Sequence, residues 1–144
     1  MTGPAEHAGY TFFDHTADIG IRAQAPTLAG LFAALAQGLT ELIAEDSDIQ
    51  PRERRPIHLS AGGAELLLLA WLQELLFWFS TDRFLAAAYR LDEVTPTILR
   101  GAVEGERFDP ARHAQGREVK AITRHLLDVH QIESGWKGQV VVDI

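Results

Sequence analysis

The sequence predicts an α+β fold in which a largely antiparallel, mixed β-sheet carries two α-helices packed on one face. Three observations favour this class. Residues 18–25 alternate between apolar and polar side chains, two later segments have helical apolar spacing, and strand-like segments follow one another directly after residue 83. Helices confined to the middle of a series of strands are typical of α+β domains. The length of 144 residues and the 47% hydrophobic content fit one domain, residues 1–144, with its own core.

The N-terminal segment predicts two strands. Residues 10–13 are apolar, and the alternation over residues 18–25 indicates a half-buried strand with two different faces. We expect one face in the core and the other outside it. The apolar face comprises Ile19, Ile21, Ala23 and Ala25, and the polar face comprises Asp18, Gly20, Arg22 and Gln24.

The first helix is predicted to begin after Thr27, a residue type that accepts a hydrogen bond from the first helical turn, and to end near residues 45–48. A strand is predicted over residues 54–60, where Pro51 and Pro56 indicate an edge strand or a strand start. In the helix, apolar side chains recur at intervals of three and four residues and so line one face: Leu28, Leu31, Phe32, Leu35, Leu39, Leu42 and Ile43.

The second helix is predicted over residues 65–79, after a turn at Gly62 and Gly63. The segment is apolar almost all round, but a membrane span needs about 20 uninterrupted apolar residues. This run is shorter and contains polar residues, so we expect a core helix covered by a sheet and no membrane association. The alternative for some of its large side chains is contact with a partner protein: Trp71, Phe77, Trp78 and Phe79.

The rest of the chain predicts four strands, over residues 86–94, 97–107, 118–131 and 137–143, with a loop over residues 109–116. Because these strands follow one another without intervening helices, we expect neighbouring strands to pair antiparallel. No internal repeat, low-complexity tract or long flexible linker divides the chain.

The composition excludes several classes of function. The absence of cysteine excludes disulfide frameworks, thiolate zinc sites and cysteine nucleophiles. A formal net charge of -7 argues against autonomous nucleic-acid binding, because phosphate binding normally uses a surplus of Lys and Arg. Residues 1–9 contain neither a basic nor an apolar signal segment, so the cytoplasm is the expected location. Walker-type loops, dinucleotide-binding fingerprints, nucleophile elbows and zincin pairs are also missing from the sequence.

The segment DHTAD, residues 14–18, gathers two carboxylates, an imidazole and a hydroxyl at the start of a predicted strand. Oxygen ligands of this kind bind hard cations such as Ca2+, Mg2+ and Mn2+. The alternative is a turn in which these side chains bond to the nearby backbone. Asp14, His15 and Asp18 are therefore candidate site residues with two interpretations.

A second acidic feature lies at the C-terminal end, where a β-branched strand closes on Asp143 and Ile144. An apolar strand that runs to the last residue is expected to be docked rather than frayed. If this strand pairs with the strand that begins at Asp18, two side-chain carboxylates and the α-carboxylate of Ile144 converge. Like charges at that spacing repel each other unless a cation lies among them.

The segment EVKAITRH forms a third feature. Strand periodicity predicts that Glu118, Lys120, Ile122 and Arg124 share one face, with His125 on the other. One interpretation is an exposed charged face whose ion pairs contribute little to stability. The other is a functional patch in which Lys120 meets an anionic group or orients the metal-binding carboxylates.

Three motifs, in this order, resemble the archease family: DHTADIGI at residues 14–21, RHAQGREVKAIT at residues 112–123, and a terminal GW followed by VVVDI at residues 140–144. The match spans essentially the whole chain. Archeases are small proteins that work with RtcB-type RNA ligases, which use GTP and Mn2+ to join a 2',3'-cyclic phosphate or 3'-phosphate end to a 5'-hydroxyl end. The resemblance therefore implies an archease-like α+β fold and an RtcB-type ligase as partner.

By this resemblance the chain is a metal-binding protein cofactor rather than an enzyme. It is expected to promote GTP-dependent guanylylation of the ligase's own histidine and multiple turnover in tRNA splicing or RNA repair. The implied metal is a divalent ion: Ca2+, Mg2+ or Mn2+. The family's metal ligands correspond to Asp18, Asp143 and the terminal carboxylate of Ile144. The polar positions beside them correspond to Lys120, Glu118, Asp14 and His15.

Two positions depart from the family pattern. Arg124 stands where many archeases have Tyr. The first helix begins with Leu28, Ala29 and Gly30 where many members carry acids, which affects helix capping more than function. Neither departure involves an implied metal ligand.

Two other functions stay open. A carboxylate-bound metal near Lys120 is compatible with a free-standing phosphohydrolase, although no general base or phosphate-binding loop is evident. The bulky second helix is compatible with a general chaperone or scaffold. A hydrolase would release phosphate from nucleotides without a ligase, whereas a chaperone would suppress aggregation of unrelated proteins.

Overall fold

A computed structural model describes residues 9–15 and 18–144, with the backbone alone at Asp14 and His15. Within these residues the chain forms two α-helices and seven β-strands. In chain order they are β1 (Tyr10–His15), β2 (Asp18–Ala25), α1 (Leu28–Ile43), β3 (Glu53–Ser60), α2 (Ala64–Asp82), β4 (Phe84–Val94), β5 (Ile98–Arg107), β6 (Ala121–Ile132) and β7 (Gly135–Asp143).

The strands form two sheets. One has four strands in the order β1-β2-β7-β6, and the other has three in the order β3-β5-β4. All strand pairs in the described part of the chain are antiparallel, which confirms the α+β class. The sequence pattern does not predict the division into two sheets. The connection between β5 and β6, residues 108–120, is too long for a hairpin. It carries the chain from the three-stranded sheet to the four-stranded sheet, so β5 and β6 do not pair.

Both helices pack against both sheets. α1 contacts β1, β2 and β7 of the four-stranded sheet and β4 of the three-stranded sheet, whereas α2 contacts β6 together with β3, β4 and β5. A hydrophobic cluster therefore includes residues from both helices and both sheets. Within it the indole Nε1 of Trp71 donates a 3.0 Å hydrogen bond to the Phe32 carbonyl, which joins α2 to α1.

The N-terminal end of α1 confirms the predicted cap. Thr27 has an extended backbone, and its hydroxyl oxygen accepts a 3.0 Å hydrogen bond from the Gly30 N–H. The apolar positions predicted to face the core are all buried. The helix ends at Ile43, slightly before the predicted end, because the backbone leaves the helical conformation at Ala44.

The second helix, α2, is long and apolar enough, by length and composition alone, to be a candidate membrane span. The core helices of folded domains meet the same criteria, and α2 packs against α1 and both sheets. This packing buries one face of α2 and confirms the predicted core helix, but it leaves other apolar side chains of the helix exposed. Among its large aromatic side chains, Trp71 is fully buried, Trp78 and Phe79 are half-buried, and Phe77 is 58% exposed.

Two later strands differ in how well the pattern predicts them. β3 lies at an edge of its sheet, as Pro56 predicts. β6 begins at Ala121, later than predicted, and its pairing with β7 is interrupted between Thr123 and Asp128. Leu126, within the interruption, has a left-handed backbone with φ of 58°.

Candidate functional site

The candidate site lies at one end of the four-stranded sheet, where β2 begins and β7 ends. The antiparallel register of these strands places Asp18 directly opposite Asp143, and both residues are half-buried. Side chains directly opposite each other project from the same face, with Cβ atoms about 4.5–5.5 Å apart. The C-terminal strand therefore pairs with the strand that begins at Asp18, which is one possibility that the sequence raises, and two carboxylates are neighbours.

Alternation along β2 determines which face carries these carboxylates. Ile19, Ile21 and Ala23 are buried in the core, as predicted. Because successive strand residues point to opposite faces, Asp18 and Arg22 belong to the outer face of the sheet. The candidate site therefore opens away from the helices.

An aromatic side chain packs on this outer face beside the carboxylates. The ring of Phe13 covers Gly20, and a Cβ atom built at Gly20 would lie 2.0 Å from a ring atom, so the close approach requires glycine. The guanidinium carbon of Arg22 lies 4.3 Å from the centroid of the same ring. Phe13 thus fills the surface between the acidic end of β2 and its basic middle.

Lys120 reaches the same end of the sheet through backbone pairing. β6 lies on the other side of β7 with Ala121 opposite Asp143, and the Lys120 N–H donates a 2.7 Å hydrogen bond to the Asp143 carbonyl. The side chains of Lys120 and Glu118 are exposed, and among the described residues neither makes an ion pair. The Lys120 backbone is therefore bonded to Asp143 at this end of the sheet, and the Lys120 side chain is exposed.

The prediction that Glu118, Lys120, Ile122 and Arg124 share one strand face is wrong for Glu118 and Lys120, which lie before the strand begins. Residues 118–120 precede β6, and Ile122 is buried whereas Lys120 and Arg124 are exposed. The cause is a pair of backbone hydrogen bonds from the preceding segment to the last carbonyls of α1. These bonds hold the chain away from β7 until it reaches Lys120.

Asp14 and His15 occupy the end of β1, where the register sets His15 opposite Asp18 and Asp14 opposite Ile19. The backbone of β1 therefore reaches the acidic end of the sheet. The side chains of Asp14 and His15 lie outside the described residues. Their predicted roles beside a metal stay predictions.

The donor chemistry at this end of the sheet fits a divalent cation. Carboxylate oxygens are the ligands that Ca2+, Mg2+ and Mn2+ prefer, and two adjacent strands supply them from Asp18 and Asp143. Among the described side chains, no group of three or more His, Cys, Asp or Glu residues is arranged to hold a metal. A fuller ligand set would therefore need other groups, such as the terminal carboxylate of Ile144.

A buried polar cluster that the strand pattern does not predict lies where β5 leads into residues 108–120. The Glu106 carboxylate is 5% exposed and accepts hydrogen bonds from the Gln50 N–H at 2.7 Å, from Arg112, and from His113 Nε2 at 2.9 Å. Burial alone would raise the pKa of Glu106, but the bonds from Arg112, Gln50 and His113 together lower it to about 2. Arg112 and His113 open the second family motif, yet nothing in the strand pattern marks Glu106 as buried.

The chain runs from this cluster across the helix ends to the candidate site. The Ala114 N–H donates a 2.8 Å hydrogen bond to the Ser47 hydroxyl oxygen. The N–H groups of Gly116 and Arg117 then donate hydrogen bonds of 2.9 and 2.7 Å to the last carbonyls of α1. The segment is therefore anchored at several points before Lys120 joins the sheet.

Comparison with known proteins identifies a family with this sequence and fold. The sequence profile of the Archease protein family matches residues 10–144. A protein archease from Methanosarcina acetivorans is 31% identical over 145 residues, which cover 98% of this chain and 99% of that protein. The similarity thus extends over almost the full length of both chains.

Two solved structures share the fold. The solution structure of Methanobacterium thermoautotrophicum protein 1598 gives a TM-score of 0.79 at 29% identity and covers 96% of this chain and 100% of that one. The crystal structure of an archease from Thermotoga maritima, described as a possible chaperone, gives a TM-score of 0.60 at 19% identity over 92% of this chain and 94% of that one, which shows a likeness of fold. From the profile match, the full-length sequence similarity and the shared fold, we conclude that the chain belongs to the archease family.

Proposed function

We propose that this archease-family protein is a metal-binding protein cofactor that activates an RtcB-type RNA ligase. It promotes GTP-dependent guanylylation of the ligase and multiple turnover in tRNA splicing or RNA repair. The observation that supports this most is the pairing of Asp18 with Asp143, with Lys120 hydrogen-bonded to the Asp143 backbone. The family name suggests a protein cofactor rather than a catalyst.

In this proposal Asp18, Asp143 and the terminal carboxylate of Ile144 hold one divalent cation, Ca2+, Mg2+ or Mn2+. The two aspartates are direct cross-strand neighbours, so their mutual repulsion favours binding of a cation. When bound, the cation supplies a concentrated positive charge that can bind further oxygen ligands from a partner.

The residues beside the carboxylates have a supporting role. The exposed ammonium group of Lys120 is free to contact an anion, such as a phosphate of the GTP that the ligase uses. Glu118 lies two residues earlier and is also exposed. Asp14 and His15 flank the site from the end of β1, as the family resemblance implies.

The charge of the chain supports a protein partner rather than direct contact with RNA. With a formal net charge of -7 the protein lacks the surplus of Lys and Arg that phosphate-backbone binding requires. In this proposal the ligase binds the RNA, GTP and Mn2+, and the archease binds the ligase in the cytoplasm. Strong autonomous nucleic-acid binding is not part of the mechanism.

The test counts RNA joining events per ligase molecule, with GTP and Mn2+, with and without this protein at a catalytic ratio. We expect a ligase that stalls after one round to become a multiple-turnover enzyme. Asp18→Asn should remove the activation, whereas Asp92→Asn, which changes an exposed acid on β4, should retain it. An active cognate ligase that gains nothing from the protein would overturn the proposal.

A second candidate is a chaperone role, which the exposed apolar side chains of α2 favour. Phe77 is 58% exposed and Leu66 is 41% exposed, and the similar Thermotoga maritima protein is described as a possible chaperone. Light scattering from an unrelated aggregating protein distinguishes the two functions. Metal-independent suppression that Phe77→Ser loses and Asp18→Asn retains would favour the chaperone.

A further inference from the structure

A cleft of about 250 Å3 lies between the C-terminal ends of the two helices and the segment of residues 115–119. Its apolar part is formed by Ile43, Leu76, Phe79 and Val119. Its polar part carries the side chains of Arg83, Arg117 and Glu118, so two cations outnumber one carboxylate. The cleft is separate from the Asp18 and Asp143 carboxylates but shares the segment that leads to Lys120.

The two arginines of the cleft are exposed and, unlike most arginines in the described part of the chain, make no ion pair. Arg55 makes two hydrogen bonds to Asp82, and Arg112 pairs with Glu106. In the described part of the chain, no carboxylate lies within 4.0 Å of the guanidinium group of Arg83 or Arg117. In a protein with a surplus of acids, two unpaired cations beside an apolar surface predict a ligand that is both anionic and apolar.

The backbone around the cleft argues against a phosphate ligand. Phosphate sites normally use backbone N–H groups, but those of Gly116 and Arg117 donate to the last carbonyls of α1, and that of Arg83 donates to the Phe79 carbonyl. The C-terminal ends of α1 and α2 also direct their negative partial charges to this region. A multiply charged phosphate is disfavoured there, whereas a single carboxylate can pair with an arginine.

The aromatic ring in the cleft is also already covered. The guanidinium carbon of Arg83 lies 4.2 Å from the centroid of the Phe79 ring, so this face is not open to stack a nucleobase. The remaining apolar surface is largely aliphatic and suits a side chain such as Leu, Ile or Val. The chemistry therefore favours a peptide segment over a nucleotide.

We propose that this cleft docks a protein partner through a short segment in which an acidic side chain lies beside an aliphatic one. The carboxylate pairs with Arg117 and Arg83, and the aliphatic side chain packs on Ile43, Leu76 and Val119. The identification of this partner as the ligase rests on the proposed function. Because Lys120 follows directly after Val119, docking here brings the partner to the segment that leads to Lys120.

The first experiment needs no ligase. An acetylated and amidated tetrapeptide containing Glu-Leu is titrated into the labelled protein while backbone amide NMR shifts are recorded. We expect shift changes confined to residues 115–119 and the end of α2, with a dissociation constant on the order of 1 mM. Arg117→Glu should abolish these changes, and a Gln-Leu peptide should bind far more weakly. Equal binding of the two peptides, or tighter binding of inorganic phosphate at the same residues, would overturn the proposal.

The second experiment measures the affinity of the ligase for the protein. Arg117→Glu should weaken binding by about tenfold, whereas Arg100→Glu, which changes an exposed arginine on β5, should change it by less than about twofold. Failure of the proposed function can be told apart from failure of the docking proposal. If the proposed function is wrong, the wild-type protein does not activate the ligase at all. A wild-type protein that activates the ligase while Arg117→Glu binds and activates equally well would overturn the docking proposal alone.

Discussion

His113 and Glu106 form a hydrogen bond between the imidazole Nε2 and the carboxylate Oε2, 2.9 Å long, in a buried position between β5 and the segment that follows it. The His113 Nδ1 accepts a 2.9 Å hydrogen bond from the Asp109 N–H. This bond assigns the ring hydrogen to Nε2, so a neutral imidazole donates to the carboxylate. The pair ties the connection between the two sheets to the end of β5, the central strand of the three-stranded sheet.

Replacing the buried carboxylate should destabilise the fold. Glu106→Gln removes the negative charge that pairs with Arg112 and Arg52. It also replaces one of the two carboxylate oxygens with an NH2 group, which cannot accept a hydrogen bond such as the one from the Gln50 N–H. We expect the free energy of unfolding to fall by about 2 to 4 kcal/mol. Urea denaturation measures it, with Glu104→Gln as the matched control. Glu104 lies on the same strand as Glu106 and pairs with the exposed side chains of Arg54 on β3 and Arg90 on β4, so its replacement should cost less than about 1 kcal/mol. Equal losses for the two variants would contradict the prediction.

The same carboxylate should make stability depend on acid pH. The folded-state pKa of Glu106 is lowered to about 2 from an ordinary value of 4.5, so the unfolded chain takes up a proton at a higher pH than the folded protein does. The contribution of Glu106 is therefore complete above the ordinary value and is lost as pH falls toward 2. Urea titrations between these limits should show a smaller decrease in stability for Glu106→Gln than for the wild type. Parallel curves would indicate that other carboxyl groups account for the acid sensitivity.

The opposed carboxylates of the candidate site should behave differently with and without metal. Asp18 and Asp143 face each other across β2 and β7, so Asp143→Asn removes a like-charge repulsion and should leave the metal-free melting temperature unchanged or higher. If the proposed site binds Ca2+, Mg2+ or Mn2+, the ion should raise the melting temperature of the wild type, and the same change should abolish that rise. Differential scanning calorimetry with and without each ion, and with Asp92→Asn as control, measures both effects. A metal-induced rise that survives Asp143→Asn would exclude this carboxylate as a ligand.

The contact between Phe13 and Gly20 should tolerate no side chain at position 20. A Cβ atom there would lie 2.0 Å from the Phe13 ring, so Gly20→Ala must displace the ring or the strand. We expect a loss of about 1 to 3 kcal/mol in the free energy of unfolding. Gly63→Ala is the matched control, because a Cβ at Gly63 meets no atom within 4 Å. Combining Gly20→Ala with Phe13→Ala should cost less than the sum of the single changes, and strict additivity would argue against the clash.

Local signals in the sequence predict much of this fold, because they depend on residues close together in the chain. The hydroxyl of Thr27 caps α1 over three residues, and the alternation over β2 gives both the buried and the outer face. The apolar C-terminal strand predicts its own docking, which is what brings Asp143 opposite Asp18. The cap and the alternation depend only on nearby residues, whereas the pairing of Asp143 with Asp18 also depends on which strand lies beside β7.

Features that depend on distant partners could not be predicted in the same way. Glu106 looks like an ordinary strand acid until the Gln50 N–H and the side chains of Arg112 and His113 enclose it. Likewise, the sequence around Lys120 has strand periodicity, but bonds to the end of α1 delay the strand until Ala121. The buried state of Glu106 and the late start of β6 both depend on the connection between the sheets. The path of this connection is determined by tertiary contacts rather than by local sequence pattern.

Lys120 offers a test that separates function from folding. Its side chain is exposed, and its structural contribution is a backbone N–H bond to the Asp143 carbonyl that any residue other than proline can make. Lys120→Met should therefore change the free energy of unfolding by less than about 0.5 kcal/mol. If the ammonium group contacts an anion of the activated ligase, the same variant should lower the rate of ligase guanylylation by about tenfold or more. Lys137→Met, which changes an exposed lysine near the opposite end of β7, should leave that rate unchanged. A Lys120→Met protein that is fully folded and fully active would remove this side chain from the proposed site.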